Sequence, residues 1–323
     1  MSILPPSRRP LGRSGLSVSP LTLGAWKWGF SPFFPDEETG DEHDARIGAL
    51  ADAFLRGELP STTLDTSNTY GDSRSEALIG EALRRVGGVP EGVVVQTKLD
   101  RHPETGDFSA ARMRESLSES LDRLGLETLP LLYLHDPEHI GFEAAMAAGG
   151  PVDALVAMKE AGLVESIGIS GGPVDMLDRF VRTDLFDALI THNRFTLVNR
   201  AADGLLDTAA EHGLGIMNAA PYGAGVLTGH PRYREMYAYG RIGRDTARAV
   251  ALLDDLCTAA GVPLAALALQ FSLRDPRIHS TIVGVSDVGR ARELETLASF
   301  PIEQALRDEV EGALAGLLTT TDI

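Results

Sequence analysis

Short apolar runs rich in β-branched residues alternate along the chain with segments whose apolar residues recur every three or four positions. The first pattern predicts buried strands and the second predicts amphipathic helices, and their alternation favours a parallel sheet with helical crossovers. Eight strand–helix units in a chain of 323 residues fit a (β/α)8 TIM barrel. We predict strands at Leu21–Ala25, Thr63–Thr66, Val93–Lys98, Leu131–His135, Ser166–Ser170, Ala188–His192, Gly215–Ala219 and Thr281–Gly284.

The helical segments carry recognisable start and stop signals. Ser73, followed three residues later by Glu76, resembles a capping box. Ser109 is a candidate N-cap for the helix that Gly125 ends, and a further helix is expected to stop before Gly162. These signals place one helix after each of several strands, as the barrel requires.

The principal alternative fold is a doubly wound open sheet. That fold usually carries G-x-G-x-x-G after its first strand, whereas this chain reads Gly24-Ala-Trp-Lys-Trp-Gly29. Upstream, the segment Arg9–Pro20 alternates around Ser14-Gly15 and predicts a β-hairpin that closes the barrel floor. No linker divides the sequence, so residues 1–323 are predicted to form one domain.

Composition excludes several classes of partner. Acidic residues outnumber basic ones 46 to 29, for a formal net charge of −17, and such a surface repels phosphate backbones. We therefore expect no nucleic-acid partner. Because no apolar run is long enough to span a bilayer and the first residues do not resemble a signal peptide, we expect a cytoplasmic protein without a membrane partner. The one cysteine, Cys257, lies in an apolar helical pattern and is predicted to be buried and inert.

Four polar residues come at or just after the ends of three consecutive predicted strands. Asp65 ends the second strand, Tyr70 follows it by five residues, Lys98 ends the third and His135 ends the fourth. In a TIM barrel the carboxyl ends of the strands meet at one face, which is where active sites lie. Each residue alone also has an ordinary structural role, as a turn former, a packed ring, a rim cation or a core histidine.

Together these four residue types suit proton transfer at a C–O oxygen. A phenol has a reference pKa of about 10, and a nearby ammonium is expected to lower the pKa of Tyr70. Asp65 would hold the Lys98 ammonium in place, and the His135 imidazole would orient a carbonyl or hydroxyl oxygen. None of these groups carries a hydride, so a redox reaction would require a cofactor.

Two further clusters have both a functional and a structural interpretation. Trp26, Trp28 and Phe30 crowd the loop after the first strand, and we interpret them as a substrate-binding wall for a sugar or aromatic ring rather than as simple packing. The run from His135 to His139 groups imidazoles with carboxylates, but Pro137 turns the chain there, so we predict no metal site.

Several ordered motifs resemble the aldo-keto reductase family. They include the opening Leu11–Gly24, the segment Asp65-Thr-Ser-Asn-Thr-Tyr-Gly71, the segment Gly162–Ser170, and Ile282-Val-Gly-Val-Ser286. The resemblance implies that Tyr70 is the general acid/base, that Lys98 and Asp65 tune it, and that His135 positions the substrate oxygen. It also implies that NADP or NAD binds in an extended conformation across the barrel mouth.

The resemblance further assigns cofactor contacts residue by residue. They are Gly24, Asp65, Ser170, His192, Asn193, Ala220, Pro221, Tyr222, Gly225, Leu227, Gly284, Ser286, Arg290 and Glu293. The chain departs from the family pattern at Gly171, where an Asn is common, and at Ala219, where many members have an aromatic ring. Gly284 stands where strict NADP users often have Lys, and Asp287 adds a negative charge nearby. We therefore expect use of both cofactors with a preference for NAD.

Within the family, the segments His192–Arg200 and Asn218–Gly223 most resemble D-threo-aldose 1-dehydrogenases, L-fucose dehydrogenases and pyridoxal 4-dehydrogenases. That likeness implies a sugar or aldehyde substrate, with Tyr70 as phenolate removing the proton of the anomeric hydroxyl during oxidation. The alternatives are a general aldehyde or ketone reductase, a non-catalytic dinucleotide-binding subunit like the channel β-subunits, and a metal-dependent barrel hydrolase. The hydrolase is disfavoured because no His-x-His pair follows the first strand.

Overall fold

The strands of the computed structural model follow the predicted runs closely. The model describes residues 8–29 and 40–320. The barrel strands begin and end within two residues of the predicted positions, because each is an apolar run bounded by polar or turn-forming residues. The strands are β1 (Arg9–Pro10), β2 (Ser17–Val18), β3 (Leu21–Gly24), β4 (Thr63–Asp65), β5 (Val94–Leu99), β6 (Leu129–His135), β7 (Val164–Gly171), β8 (Ala188–His192), β9 (Gly215–Ala219), β10 (Met236–Tyr237), β11 (Gly240–Arg241) and β12 (Ser280–Gly284).

Eight of these strands close into a parallel barrel in the order β12-β3-β4-β5-β6-β7-β8-β9, which confirms the predicted fold. The helices connect and surround them. They are α1 (Asp41–Leu55), α2 (Arg74–Val86), α3 (Ala110–Leu124), α4 (Phe142–Ala145), α5 (Pro151–Glu160), α6 (Val174–Val181), α7 (Asp203–Glu211), α8 (Arg244–Ala260), α9 (Leu264–Arg274), α10 (Val288–Ser299) and α11 (Gln304–Leu314).

The N-terminal hairpin of β1 and β2 closes the floor of the barrel, as predicted. Leu11 and Val18 are fully buried in a cluster with barrel residues that include Leu131 and Met217. The fit is close, because a Cβ added to Gly215 would lie 2.4 Å from the Leu11 Cγ. The opposite, carboxyl-terminal end of the barrel is therefore the open mouth.

Helix ends follow the predictions at α3 and not at α2. The Ser109 side chain accepts a hydrogen bond from the Arg112 N–H at 3.2 Å, and Gly125 ends the helix in the left-handed conformation with φ of 70°. The predicted capping box at Ser73 is wrong. Ser73 has a φ of 65° and its side chain makes no capping bond, because an N-cap residue needs an extended backbone.

Glu76, the other half of the expected capping box, is buried and bridges three elements. Its carboxylate accepts hydrogen bonds from the Thr97 hydroxyl on β5 at 2.6 Å and from the Arg123 guanidinium on α3 at 2.9 Å. Burial raises the pKa of Glu76 despite these donors. The side chain thus ties α2 to the barrel wall instead of capping its own helix.

One further expectation is met on α8, where the cysteine is buried. Cys257 on α8 is 2% exposed, and burial raises the pKa of its thiol to about 11, so the thiol stays protonated at neutral pH. No single helix within residues 8–29 and 40–320 is long and apolar enough to cross a membrane. The α8–α9 pair passes that test of length and composition only when the two helices are joined across their 105° bend.

Candidate active site

The barrel brings the four predicted catalytic residues together at its mouth. The Lys98 ammonium donates to Asp65 Oδ2 at 2.8 Å, to the Thr66 carbonyl at 2.7 Å and to the Tyr70 hydroxyl at 3.1 Å. The Tyr70 and His135 rings meet edge to face, with centroids 5.8 Å apart. Lys98 is 1% exposed, so its charge is neutralised by Asp65 inside the protein.

The strand register explains this convergence. Asp65 at the end of β4 pairs with Gln96 of β5, and Lys98 of β5 pairs with Tyr133 of β6. The stagger therefore carries each successive strand end to the same level around the mouth. His135, the last residue of β6, pairs with Ser170 of β7, a predicted cofactor contact.

Tyr70 lies on the loop between β4 and α2, which is anchored at both sides. The Asn68 amide donates to the Ser116 carbonyl at 3.0 Å and so fixes the loop to α3. Gly71 has a φ of 61°, and a Cβ there would lie 2.5 Å from the Gly29 Cα, so only glycine fits this crossing. These contacts set the phenol against Lys98.

The expected lowering of the Tyr70 pKa is wrong. Burial raises the pKa of the phenol well above its ordinary value, and the surrounding carboxylates raise it further. The physical reason is that Asp65 compensates the charge of Lys98, so the ion pair gives the phenol a hydrogen bond but little net positive field. In the resting protein Tyr70 is a protonated phenol.

Sequence reasoning missed Asp100, which follows Lys98 by two residues. Its carboxylate lies 2.7 Å from His135 Nδ1, and the residue is buried. Burial alone would lower the pKa of His135, but the carboxylates of Asp136 and Asp100 outweigh it and raise that pKa. The available signal was the alternation of a strand, which places residues two apart on the same side.

A second acidic group lies beside His135. Asp136 Oδ1 is 3.7 Å from His135 Nε2 and 3.8 Å from His192 Nε2, and these imidazoles hold the pKa of Asp136 low although burial opposes them. Glu138 accepts a hydrogen bond from the Gly172 N–H at 3.2 Å. Asp136, Glu138 and His192 form a cluster in which one carboxylate oxygen or ring nitrogen of each lies within 4.8 Å of the others. His139 is exposed and is not part of this cluster.

Gly171, a departure from the family pattern, makes room for Glu138. A Cβ at position 171 would lie 2.9 Å from Glu138 Oε2, and that oxygen is buried without a hydrogen-bond partner among the described residues. Burial and the charge of Asp136 raise the pKa of Glu138. The wall of the mouth after β6 is therefore acidic, with one carboxylate held ionised and a neighbour that ionises less readily.

Comparison with known proteins agrees with this geometry. The model of the aldo/keto reductase family matches residues 20–314. The chain belongs to the aldo/keto reductase family. Members of this family use nicotinamide cofactors. This chain is an oxidoreductase that acts on CH–OH or C=O groups.

Named relatives cover nearly the whole chain. L-galactose dehydrogenase of Arabidopsis thaliana is 32% identical over 95% of this chain and 93% of its own length. D-threo-aldose 1-dehydrogenase of a Pseudomonas species is 33% identical over 84% of this chain and 88% of its own length. In structure, an aldo-keto reductase from Bacillus halodurans superposes with a TM-score of 0.76 at 22% identity, covering 98% of each chain, and supports the fold.

The cofactor contacts expected in an aldo-keto reductase lie around the mouth from β7 to α10. Asn193 is fully buried, and its Oδ1 has no hydrogen-bond partner within the described residues; the same holds for the hydroxyl oxygen of Tyr222. Buried polar atoms are nearly always hydrogen-bonded, so these two suit a polar ligand. Ser170, His192, Ala220, Pro221, Gly225, Gly284, Ser286, Arg290 and Glu293 lie at or beyond the strand ends of the same arc.

Three of the expected cofactor contacts are either buried in packing or already hydrogen-bonded within the protein. Leu227 is fully buried in the cluster under α8 and α9, and its N–H donates to the Tyr222 carbonyl, so its role is packing. Both oxygens of Asp65 already accept hydrogen bonds, from Gln96 and from Lys98. Gly24 ends β3 inside the barrel wall and is buried.

The predicted substrate wall is only partly present. Trp28 is fully buried, and its indole N–H donates to the Val285 carbonyl at 2.8 Å, so its assignment as a substrate contact is wrong; the ring packs the loop. Trp26 is half-buried, with its ring 5.9 Å from that of Tyr239, which in turn lies 6.0 Å from the His192 ring. Phe30 lies outside the described residues. Tyr239, which the sequence analysis did not single out, comes two residues after β10.

Proposed function

We propose that this chain is an NAD(P)-dependent aldose 1-dehydrogenase or aldehyde reductase that uses Tyr70 as its general acid/base. The observation that carries the proposal is the contact of Lys98 with both Asp65 and Tyr70, next to His135. The relatives named for L-galactose and D-threo-aldose oxidation support a sugar hemiacetal or aldehyde as substrate. When bound, the nicotinamide supplies or accepts the hydride.

The residues around the mouth divide the remaining work. Tyr70, as a neutral phenol, donates a proton to a carbonyl oxygen in reduction, and its phenolate takes the hydroxyl proton in oxidation. Lys98 donates a hydrogen bond to the phenol oxygen and so stabilises the phenolate when it forms. His135 faces the same space and orients the substrate oxygen. Because burial holds the proton on Tyr70, we expect oxidation to need alkaline pH and reduction to proceed at neutral pH.

The surroundings of Arg290 support a preference for NAD with some use of NADP. Asp287 caps α10 by accepting the Arg290 N–H at 2.8 Å, and its other oxygen lies 3.6 Å from Arg290 Nε. The guanidinium is thus shared with a carboxylate, which weakens a phosphate site and leaves an acceptor near a free ribose hydroxyl.

The test combines purified protein with NAD or NADP and a panel of aldoses and aldehydes, followed by absorbance near 340 nm. Tyr70→Phe should lower kcat by about 10² to 10⁴, since only the acid/base hydroxyl is lost. Tyr133→Phe is the matched control: that hydroxyl is fully buried and contacts the Met217 sulfur at 3.4 Å, so activity should persist.

The alternative of a non-catalytic dinucleotide-binding subunit is disfavoured by the complete set of Asp65, Tyr70, Lys98 and His135 at the mouth. A probable voltage-gated potassium channel subunit β of Oryza sativa is 27% identical over 93% of each chain. Turnover separates the two functions, because a binding subunit would bind dinucleotide but would show no turnover that depends on the Tyr70 hydroxyl.

A further inference from the structure

Asp100 occupies a position between His135 and the loop that carries Tyr70. It is the first residue after β5 and is 7% exposed. One carboxylate oxygen lies 2.7 Å from His135 Nδ1. The other accepts a hydrogen bond from the Ser67 hydroxyl and one from the Thr69 N–H at 3.1 Å.

These contacts fix the hydrogen-bond roles of each partner. An ionised carboxylate only accepts hydrogen bonds, so His135 Nδ1 must carry the hydrogen that it shares with Asp100. The Ser67 hydroxyl oxygen lies 3.1 Å from the same Nδ1, but its hydrogen is already donated to Asp100, so it does not donate to the ring. The opposite nitrogen, Nε2, lies 3.7 Å from Asp136 Oδ1 and remains for the substrate oxygen, which the proposed reaction places beside Tyr70.

We propose that Asp100 is a positioning residue for this reaction, which holds His135 as a doubly protonated imidazolium with its Nε2–H directed at the substrate oxygen. The proposal rests on the proposed function of the site. Asp100 neither gives nor takes a proton during turnover; it acts through His135 and through the backbone of the Tyr70 loop. A charged donor at Nε2 stabilises negative charge that develops on a carbonyl oxygen better than a neutral imidazole does.

The groups that face His135 favour the charged ring. Asp100 lies against Nδ1 from the end of β5, and Asp136 lies 3.7 Å from Nε2 on the following turn. Lys98 opposes them from β5, but its charge is paired with Asp65 at 2.8 Å. The Tyr70 ring approaches edge-on from the β4–α2 loop and stays neutral. His192, on β8, lies 3.8 Å from Asp136 and draws part of the charge of that carboxylate away from His135.

The decisive measurement is an NMR titration of the His135 imidazole in the whole protein, with its signals assigned by comparison with His135→Gln. We expect a pKa above the ordinary value of 6.5 in the wild type, with Nδ1 protonated at every pH at which the protein is folded. Asp100→Asn keeps the shape and removes the charge, and should lower that pKa by about one unit or more, a tenfold change in proton affinity. Ser67→Ala keeps the carboxylate and should shift the pKa by less than half as much.

The outcomes decide the proposal without reference to turnover, so its failure can be told apart from failure of the proposed function. An unchanged His135 pKa in folded Asp100→Asn overturns it. If that variant does not fold, the wild type still decides: a ring that is mostly neutral at pH 6.5 overturns the proposal whichever nitrogen carries its hydrogen, and hydrogens on both nitrogens support it.

Kinetics give a second readout that a merely structural role would not move. In the wild type, kcat/KM for aldehyde reduction should fall as pH rises through the pKa of His135. Asp100→Asn should lower kcat about tenfold or more and move this limb to lower pH, with the cofactor Kd unchanged. Loss of cofactor binding or thermal stability with the limb in place would assign Asp100 a structural role only.

Discussion

Lys98 is the residue whose environment determines how the phenol can act. It bonds to Asp65, to the Thr66 carbonyl and to Tyr70 at once, and it is almost completely buried. Because Asp65 cancels its charge, Lys98 does not bring the phenol pKa down to neutral pH in the resting protein. What it does provide is a hydrogen bond to the phenolate, so its removal should raise the Tyr70 pKa still further.

Lys98→Met tests this role. The substitution removes the donor and leaves Asp65 as an unpaired carboxylate near the phenol, so both effects disfavour the phenolate. We expect slower aldose oxidation and a rising limb of the pH–rate profile displaced to higher pH. Lys159→Met, which alters a lysine paired with Asp187 outside the mouth, is the control and should leave the profile in place. A limb at the wild-type position in Lys98→Met would show that this lysine does not tune the phenol.

Helix α2 positions the loop that carries Tyr70 against α3. Its backbone packs directly on the end of α3: a Cβ added to Gly80 would lie 1.9 Å from the Arg123 carbonyl oxygen. Arg123 also donates to the Asn68 carbonyl at 3.0 Å, in the same loop as Tyr70. The approach of the two helices therefore positions the loop as well as the core.

Gly80→Ala should destabilise the protein although alanine is the better helix former. The added methyl group must push α2 away from α3, and such overpacking costs about 1–3 kcal/mol. Gly312→Ala on α11 is the matched control, since nothing lies within 4 Å of its added Cβ, and it should be neutral or stabilising by about 0.4–1 kcal/mol. Urea unfolding midpoints measure both changes; equal midpoints for the two variants would contradict the packing argument.

The sequence pattern correctly predicted those helices and strands whose structure depends mainly on residues near in sequence. The apolar runs located all eight barrel strands, and Ser109 and Gly125 located the ends of α3, because strand burial and helix capping depend on near neighbours. The N-cap prediction for Ser73 was wrong because the capping-box pattern does not encode its left-handed backbone, which comes two residues after Gly71 crosses Gly29, a contact between segments 42 residues apart in sequence.

The candidate site also contains some residues that a local pattern identifies and others that only contacts between distant segments identify. Asp65, Lys98 and His135 could be found from strand ends alone, and Tyr70 from its loop motif. Asp100 could not be assigned, since its contacts depend on the side chains that β6 and the Tyr70 loop place opposite it. The assignment of Trp28 to the substrate was wrong because the sequence of a loop does not show whether an aromatic ring points to the mouth or to the core.

The whole molecule is strongly acidic, and this bears on which dinucleotide it selects. Its formal net charge is −17. NADP carries one more phosphate than NAD, so the field of the protein opposes NADP more than NAD at long range. Near the expected adenosine end, Arg290 is 66% exposed and shared with Asp287, so one local cation works against the overall field.

Salt separates the two influences, because the Debye length shortens from about 30 Å at 0.01 M to about 8 Å at 0.15 M. If the overall acidic field dominates, kcat/KM for NADP should rise relative to that for NAD as salt is added at saturating sugar. Arg290→Gln should lower kcat/KM for NADP more than for NAD, and Arg248→Gln, which changes the net charge equally on exposed α8, is the control. We expect NAD to be preferred at low salt. A preference for NADP above about 100-fold, roughly 2.7 kcal/mol, would contradict this expectation and show that further cations reach the phosphate.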